Sequence, residues 1–307
     1  RDRLRSRGLG DVYKRQPKLT IHSWLTALQT ERLEQKAQLI TQRLKHCNSN
    51  WEDAFFITLA RNFGFGLNGD AFETWAGLLP FRAMDKHRND LFQIEAFFYG
   101  LAGLLKETFL KKEQEDEYSL RLCKEFRYLQ RKFEIGQGMD ATLWRFLRLR
   151  PENFPHIRLA QLAYLYQKGD KLFSRLLEAE TLADVRTLLD ARTSPYWENH
   201  YLFVRLSSQK EKVMGERSKD LIIINTVVPF LYTYGLHKAD ERMCERAGRF
   251  LEELKAESNH IIRSWSDAGL PVVSAADSQA LIQLQKEYCD KRKCLYCRFG
   301  YEYLKHT

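Results

Sequence analysis

Three of the six cysteines, Cys289, Cys294 and Cys297, fall within nine residues in the pattern C-x4-C-x2-C. Thiolates are soft ligands that select zinc or iron–sulfur clusters, and an x2 spacing lets two sulfurs converge on one metal from a tight turn. The same spacing forms the first part of the plant-type ferredoxin pattern, whose fourth cysteine is remote in sequence. A fourth ligand here would be Cys244, Cys123, Cys47 or His306. A Cys3His zinc site closed by His306 is chemically reasonable. Lys291, Arg292, Lys293 and Arg298 surround the sulfurs. Positive charge lowers a thiol pKa and offsets the charge of a thiolate-bound cluster, and the same side chains can contact phosphate. Two plainer readings stand beside this one: a reversible thiol pair without metal, and buried cysteines acting as small hydrophobes. The density of cysteines favours a metal, and the spacing leans to a cluster over zinc.

A second cluster is RLRPENFPHIR, which sets Arg148, Arg150, Arg158 and His156 around a turn fixed by Pro151 and Pro155. Arginine offers a bidentate fork to phosphate or carboxylate, so these arginines, with Lys291, Arg292 and Lys293, are the candidate nucleic-acid contacts. The plainer reading has Asn153 capping the turn, Phe154 filling the core and the arginines paired with nearby acids. That reading is the stronger of the two.

Other chemistries are excluded. No HExxH and no H-x-E with a cysteine pair occurs, so a metalloprotease or zinc deaminase lacks support. His22, His87, His200 and His260 lie beside apolar or aromatic residues and read as structural. NFGFG lacks the phosphate-loop lysine, and no G-x-S-x-G is present. Trp51, Trp75, Trp144, Trp197 and Trp265 fall mostly at helix-core spacing rather than forming a base-stacking platform. The acidic runs Glu115–Asp116–Glu117 and Glu252–Glu253 sit on faces expected to be solvated.

These residues must be held by helices. Long windows rich in Leu, Glu, Lys, Gln and Arg separate the seven prolines. Apolar periodicity predicts helices over 23–46, 51–63 with Asn50 as N-cap, 70–79 stopped by Pro80, and about 90–106 in the core. Tyr118, Leu122, Phe126, Leu129 and Phe133 form one stripe over 113–133. Residues 134–156 read as irregular. Helices follow over 155–167, 171–179, 182–189 with a Thr181–Asp184 capping box, 237–256, 259–267 and 277–289. The run 221–234 reads as a buried helix bent near Pro229, though its isoleucines also suit a strand. The fold class is therefore all-α, an irregular multi-helix bundle of about ten helices with little or no sheet.

The 307 residues are 44% hydrophobic and 29% charged, which excludes a disordered or collagen-like chain. No apolar run reaches the ~18–20 residues of a membrane span, so no membrane partner is expected. Of the +9 net charge, residues 1–16 supply +4. That stretch has no apolar face and reads as a non-native, adapter-like leader. With no secretory signal, the expected compartment is the cytoplasm. The expected organisation is two helical halves, 17–135 and 136–307, or one continuous domain.

Several stretches are familiar together: NFGFGLNGDAFETWAGLLP, IEAFFYGLAGLL, RPENFPHIRLAQLA, WENHYLF, IINTVVPFLYTYG and ADSQALIQLQKEYCDKRKCLYC. In this order they resemble the bacterial family catalogued as domain of unknown function 2851, from Pro17 onward. No activity comes with that family. The resemblance implies a further mixed α/β region upstream of Pro17, reminiscent of restriction-endonuclease-like nucleases. A catalytic centre would then lie outside this chain, and the chain would be a helical fragment that is not itself an enzyme. The expectation is a helical scaffold carrying a cysteine-ligated iron–sulfur or zinc site and meeting nucleic acid. The alternatives are a structural or protein-interaction module without metal, and a hydrolase whose site spans both parts.

Overall fold

Local signals in the sequence set most of the helix ends. The structure, a computed structural model, describes residues 17–105 and 116–305. Its helices are α1 (Lys18–His46), α2 (Trp51–Phe63), α3 (Gly69–Gly77), α4 (Phe81–Asp85), α5 (Leu91–Leu101), α6 (Glu117–Lys132), α7 (Pro155–Lys168), α8 (Leu172–Glu178) and α9 (Leu182–Leu188). After a short hairpin of β1 (His200–Leu202) and β2 (Arg205–Leu206) come α10 (Glu216–Ile222), α11 (Val228–Lys238), α12 (Glu241–Glu253), α13 (His260–Asp267), α14 (Ala275–Gln283) and α15 (Arg298–Lys305). The all-α expectation is met, and no described helix is long and apolar enough to cross a membrane. Asn50 caps α2 by accepting from Glu52 N and Asp53 N. Asp90 caps α5, Asn259 caps α13, and Thr181 with Asp184 closes the capping box of α9. The irregular junction at 134–156 is also as expected, apart from two single 3-10 turns.

The described chain divides into two compact units, one of residues 44–226 and one of 17–43 with 227–305. This is not the division at 135/136 that the glycines and prolines suggest. In the 44–226 unit the core is aromatic: Phe55, Phe63, Phe72, Trp75, Phe97, Phe98, Tyr99 and Trp197 are almost wholly buried. Each contributes about 2–3 kcal/mol of burial. Helix α5 is buried on every side from Ile94 to Leu101, as its largely apolar surface requires. The chain returns over its end, where Met139 N donates to Leu101 O (2.9 Å) and Trp144 Nε1 to Ala102 O (2.8 Å).

In the other unit Leu28 of α1 packs with Ile262, Trp265, Leu270, Leu281, Leu284 and Phe299. Polar pairs fix the register: Arg32 Nε donates to Gln279 Oε1 (2.6 Å), and Gln283 Nε2 to Glu31 Oε1 (3.0 Å).

The run 221–234 is helical and carries a π turn over Ile223–Val227, just before Pro229. In an α-helix the Asn225 carbonyl would accept from residue 229, but Pro229 has no N–H. Asn62 supplies a donor instead: its Nδ2 reaches Asn225 O (3.0 Å) and Thr226 Oγ1 (2.8 Å). Asn62→Leu removes both bonds and is expected to cost about 1–2 kcal/mol. Urea midpoints measure this directly, and an unchanged midpoint would rule the bridge out as a stabilising contact.

Candidate functional site

The cysteine hairpin is built from the end of α14. Ser274 and Asp277 form a capping box at its start, and the helix runs on into a π turn over Leu284–Cys289. Tyr288 is anchored to α1, with its hydroxyl donating to Glu31 Oε2 (2.9 Å) and its ring edge-on to Trp24. The chain then reverses. Arg292 takes a left-handed φ of 54°, and Lys293 N donates to Tyr288 O (2.8 Å). A single 3-10 turn, Cys294–Tyr296, leads to Cys297, whose carbonyl accepts from Tyr301 N (2.8 Å) and so opens α15. Glycine is needed at position 300, because a Cβ there would lie 2.5 Å from the Cys294 carbonyl oxygen.

The hairpin places the three predicted cysteines differently. Cys297 is buried at 7% exposure in the apolar cluster, Cys289 is half-buried against it, and Cys294 is exposed. Burial, with the neighbouring Cys297 and Cys294 sulfurs, pushes the Cys289 thiol up to about 12. Burial also raises Cys297, although the backbone N–H groups of Gly300 and Phe299 at the start of α15 favour its thiolate. The Cys289 and Cys297 sulfurs therefore lie in one another's field, with the Cys294 sulfur acting on both. Among the described residues, however, no three histidine, cysteine or carboxylate side chains are gathered where one ion could bind them.

The candidate fourth ligands are scattered. Cys244 on α12 directs its Sγ at Tyr232 O (3.7 Å). In the 44–226 unit, Cys123 directs its Sγ at Leu105 O (3.4 Å), and Cys47 lies half-buried in the turn after α1. His306 lies outside the described residues, as do Glu115 and the leader 1–16.

Lys291, Arg292, Lys293 and Arg298 are all exposed at the hairpin. Lys291 pairs with Glu287, and Arg298 Nη1 donates to Ser23 Oγ (3.2 Å). Beside them Leu295 and Tyr296 are 70% and 79% exposed. The tip therefore presents cations and an aromatic ring to solvent.

The arginine turn does not act as one unit. Asn68 holds the segment before it by donating to Arg145 O (2.9 Å) and accepting from Arg145 N (2.8 Å). Arg148 and Arg150 are exposed. Arg158 is 6% exposed, with its guanidinium on Gln161 Oε1 (2.9 Å), on Asn153 Oδ1 (2.5 Å) and over the Phe65 ring (4.5 Å). Arg158 is thus withdrawn from the phosphate-facing set, since its guanidinium is buried and both terminal nitrogens are engaged inside the fold. The plainer reading paired the arginines with nearby acids, where the structure gives Arg158 two amides.

Two of the four histidines read as structural have packed, hydrogen-bonded settings. His200 stacks on Tyr196 (4.1 Å between ring centres) and shares a hydrogen bond with Tyr196 O, and His87 bonds Gln93, while His22 and His260 are exposed. Trp75, Trp144, Trp197 and Trp265 are core residues.

Spacing did not reveal a buried acid. Glu95, inside the apolar run of α5, is fully buried, and burial pushes it up to about 7. Tyr118 donates to its Oε2, while Oε1 has no hydrogen-bond partner, with Ser194 and the Trp197 indole close by. Tyr118 stacks on Tyr196 (4.1 Å), which donates to Asp116, and Val204 N also donates to Asp116 (3.1 Å). Asp116 therefore does not lie on a solvated face. The available signal was one carboxylate in an otherwise apolar helix.

A protein-family model described as "Protein of unknown function (DUF2851)" matches residues 11–260. No curated protein matches the chain, and no solved structure does.

Proposed function

Because the chain belongs to the DUF2851 family of proteins of unknown function, kinship brings no activity with it, and we propose from its own residues that it is a non-catalytic helical scaffold whose cysteine hairpin binds a thiolate-ligated metal beside a nucleic-acid-binding tip. The metal is an iron–sulfur cluster or a zinc ion. The observation that carries this reading is the setting of Cys297. Its sulfur meets two backbone N–H groups at the head of α15, within the field of Cys289 and Cys294. Such donors favour a thiolate, and the donor set is soft. Binding requires Cys294 to turn inward from its exposed 3-10 turn, and it requires a fourth donor. Each thiol must lose its proton, so affinity rises with pH. The reading takes the protein to be cytoplasmic, where free thiols such as its six persist. Arg292, Lys293 and Tyr296 would meet phosphate and base.

Anaerobic purification with metal, sulfide and visible-absorbance analysis tests the site. About one zinc or one cluster per chain is expected, with loss in Cys294→Ser, an exposed position where the fold tolerates change. A folded, metal-free protein with titratable thiols at all three positions overturns the proposal. What would then stand is an interaction module using exposed Leu295 and Tyr296, a reading favoured by the absence of a gathered ligand set among the described residues. Oligonucleotide affinity is expected to fall steeply with salt, and flat or absent binding removes the nucleic-acid partner.

A further inference from the structure

In the 44–226 unit, α2, α4, α7 and the start of α8 enclose a cleft of about 580 Å³. That is the size of a small-molecule site. Its floor is aromatic, with Phe56 edge-on to both Phe81 (5.8 Å) and Tyr166 (5.3 Å). Its wall is acidic, carrying Glu52, Asp53, Asp85 and Asp170 against Arg88 and Lys171.

Most of these groups are already engaged. Glu52 accepts from Phe173 N and Ser174 N (both 2.9 Å) and caps α8. Asp85 accepts from the Tyr166 hydroxyl (2.7 Å) and from Arg88 (2.5 Å). Arg88 lies over the Tyr166 ring (4.2 Å), donates to Tyr166 O (2.6 Å) and approaches Asp170 (4.0 Å). The cleft thus already holds one organic cation, through a ring face, carboxylates and a carbonyl.

Asp53 is different. It is half-buried on the cleft wall, and no cation pairs with its carboxylate. Burial and the charges of Asp85 and Glu52 raise its pKa to about 6, against the pull of Arg82. Lys86 lines the shallower hollow on its far side. Arg82 lines that hollow too, but neither cation pairs with Asp53, so the cleft wall holds more carboxylates than cations and one carboxylate has no direct ionic partner. An anion is repelled there. A bare metal ion would need several converging donors, and no such group exists among the described residues. A neutral polar ligand would leave the carboxylate uncompensated.

We propose that this cleft binds a small molecule carrying a primary ammonium group on an apolar, ring-sized body, with the ammonium at Asp53 and the body on Phe56 and Phe81. Calorimetric titration of the whole protein with phenethylammonium, its neutral counterpart 2-phenylethanol and the Asp53→Asn variant tests this. Saturable one-site binding with a Kd of about 1 mM or tighter is expected, weakened about tenfold by Asp53→Asn. The alcohol is expected not to bind. Asp53 makes no structural bond through its side chain, so the variant should keep the parent circular dichroism spectrum. As a second readout, wild-type affinity should fall as pH drops through about 6, where Asp53 takes up a proton. Equal affinity in the variant, equal binding of the alcohol, or no binding of phenethylammonium overturns the proposal.

Discussion

Glu95→Gln is expected to stabilise the chain relative to the parent increasingly as pH rises, by roughly 2–3 kcal/mol between about pH 5 and about pH 8. The folded carboxyl titrates near 7 and a solvated one near 4.5. A group whose folded pKa is raised stabilises fully below the unfolded value. That stabilisation is lost as pH climbs through the folded value, because folding must then bury a carboxylate or take up a proton. The unpartnered Oε1 is where that proton belongs. Glutamine keeps an acceptor for Tyr118 and never ionises. His156 acts in the opposite sense, since burial holds it down at about 3. Its contribution is present above its ordinary 6.5 and drains away as pH falls below that value. Parent and variant share this acid-side loss, so it cancels in their difference. Urea midpoints at several pH values provide the measurement. A gap that stays constant with pH would refute the buried-acid account.

Gly103→Ala is expected to cost about 3 kcal/mol or more. Gly103 has a φ of +72°, and a Cβ there would lie 2.3 Å from the Met139 carbonyl oxygen and 3.3 Å from Ala141 N. Both neighbours are backbone and cannot rotate away. The segment would have to lift from the end of α5, taking with it the Met139–Leu101 and Trp144–Ala102 hydrogen bonds. Gly77→Ala serves as the control, because nothing lies within 4 Å of its Cβ position. There alanine should be neutral or stabilising by up to about 1 kcal/mol. Thermal midpoints of the two variants decide the matter, and equal midpoints would show that the close approach at Gly103 is not limiting.

What could be read from the sequence is what local physics decides. Asn50, Asp90, Asn259 and Thr181 reach N–H groups two or three residues away, so the helix starts follow from neighbouring residue types. The Cys289–Cys297 spacing is equally visible. The direction each sulfur takes is not, because it depends on a left-handed Arg292 and on packing against α1. Glu95 is a single carboxylate in an otherwise apolar helix. Its partner Tyr118 comes from α6, and the Trp197 indole from far downstream. Asp53 and Asp85 are separated by a whole intervening helix and meet only when α2 and α4 face one cleft. The division into two compact units is invisible to local pattern for the same reason. The glycines near 136 mark a chain reversal pinned onto α5 rather than a linker, while α1 joins the C-terminal helices through contacts no local pattern displays.

The carboxylate that caps α8 stands 121 residues upstream of the first amide it serves. A helix of seven residues does not persist by itself in water. The first amides of α8 therefore find their acceptor only once the later segment packs against α2, so this helix depends on a long-range contact for its own start.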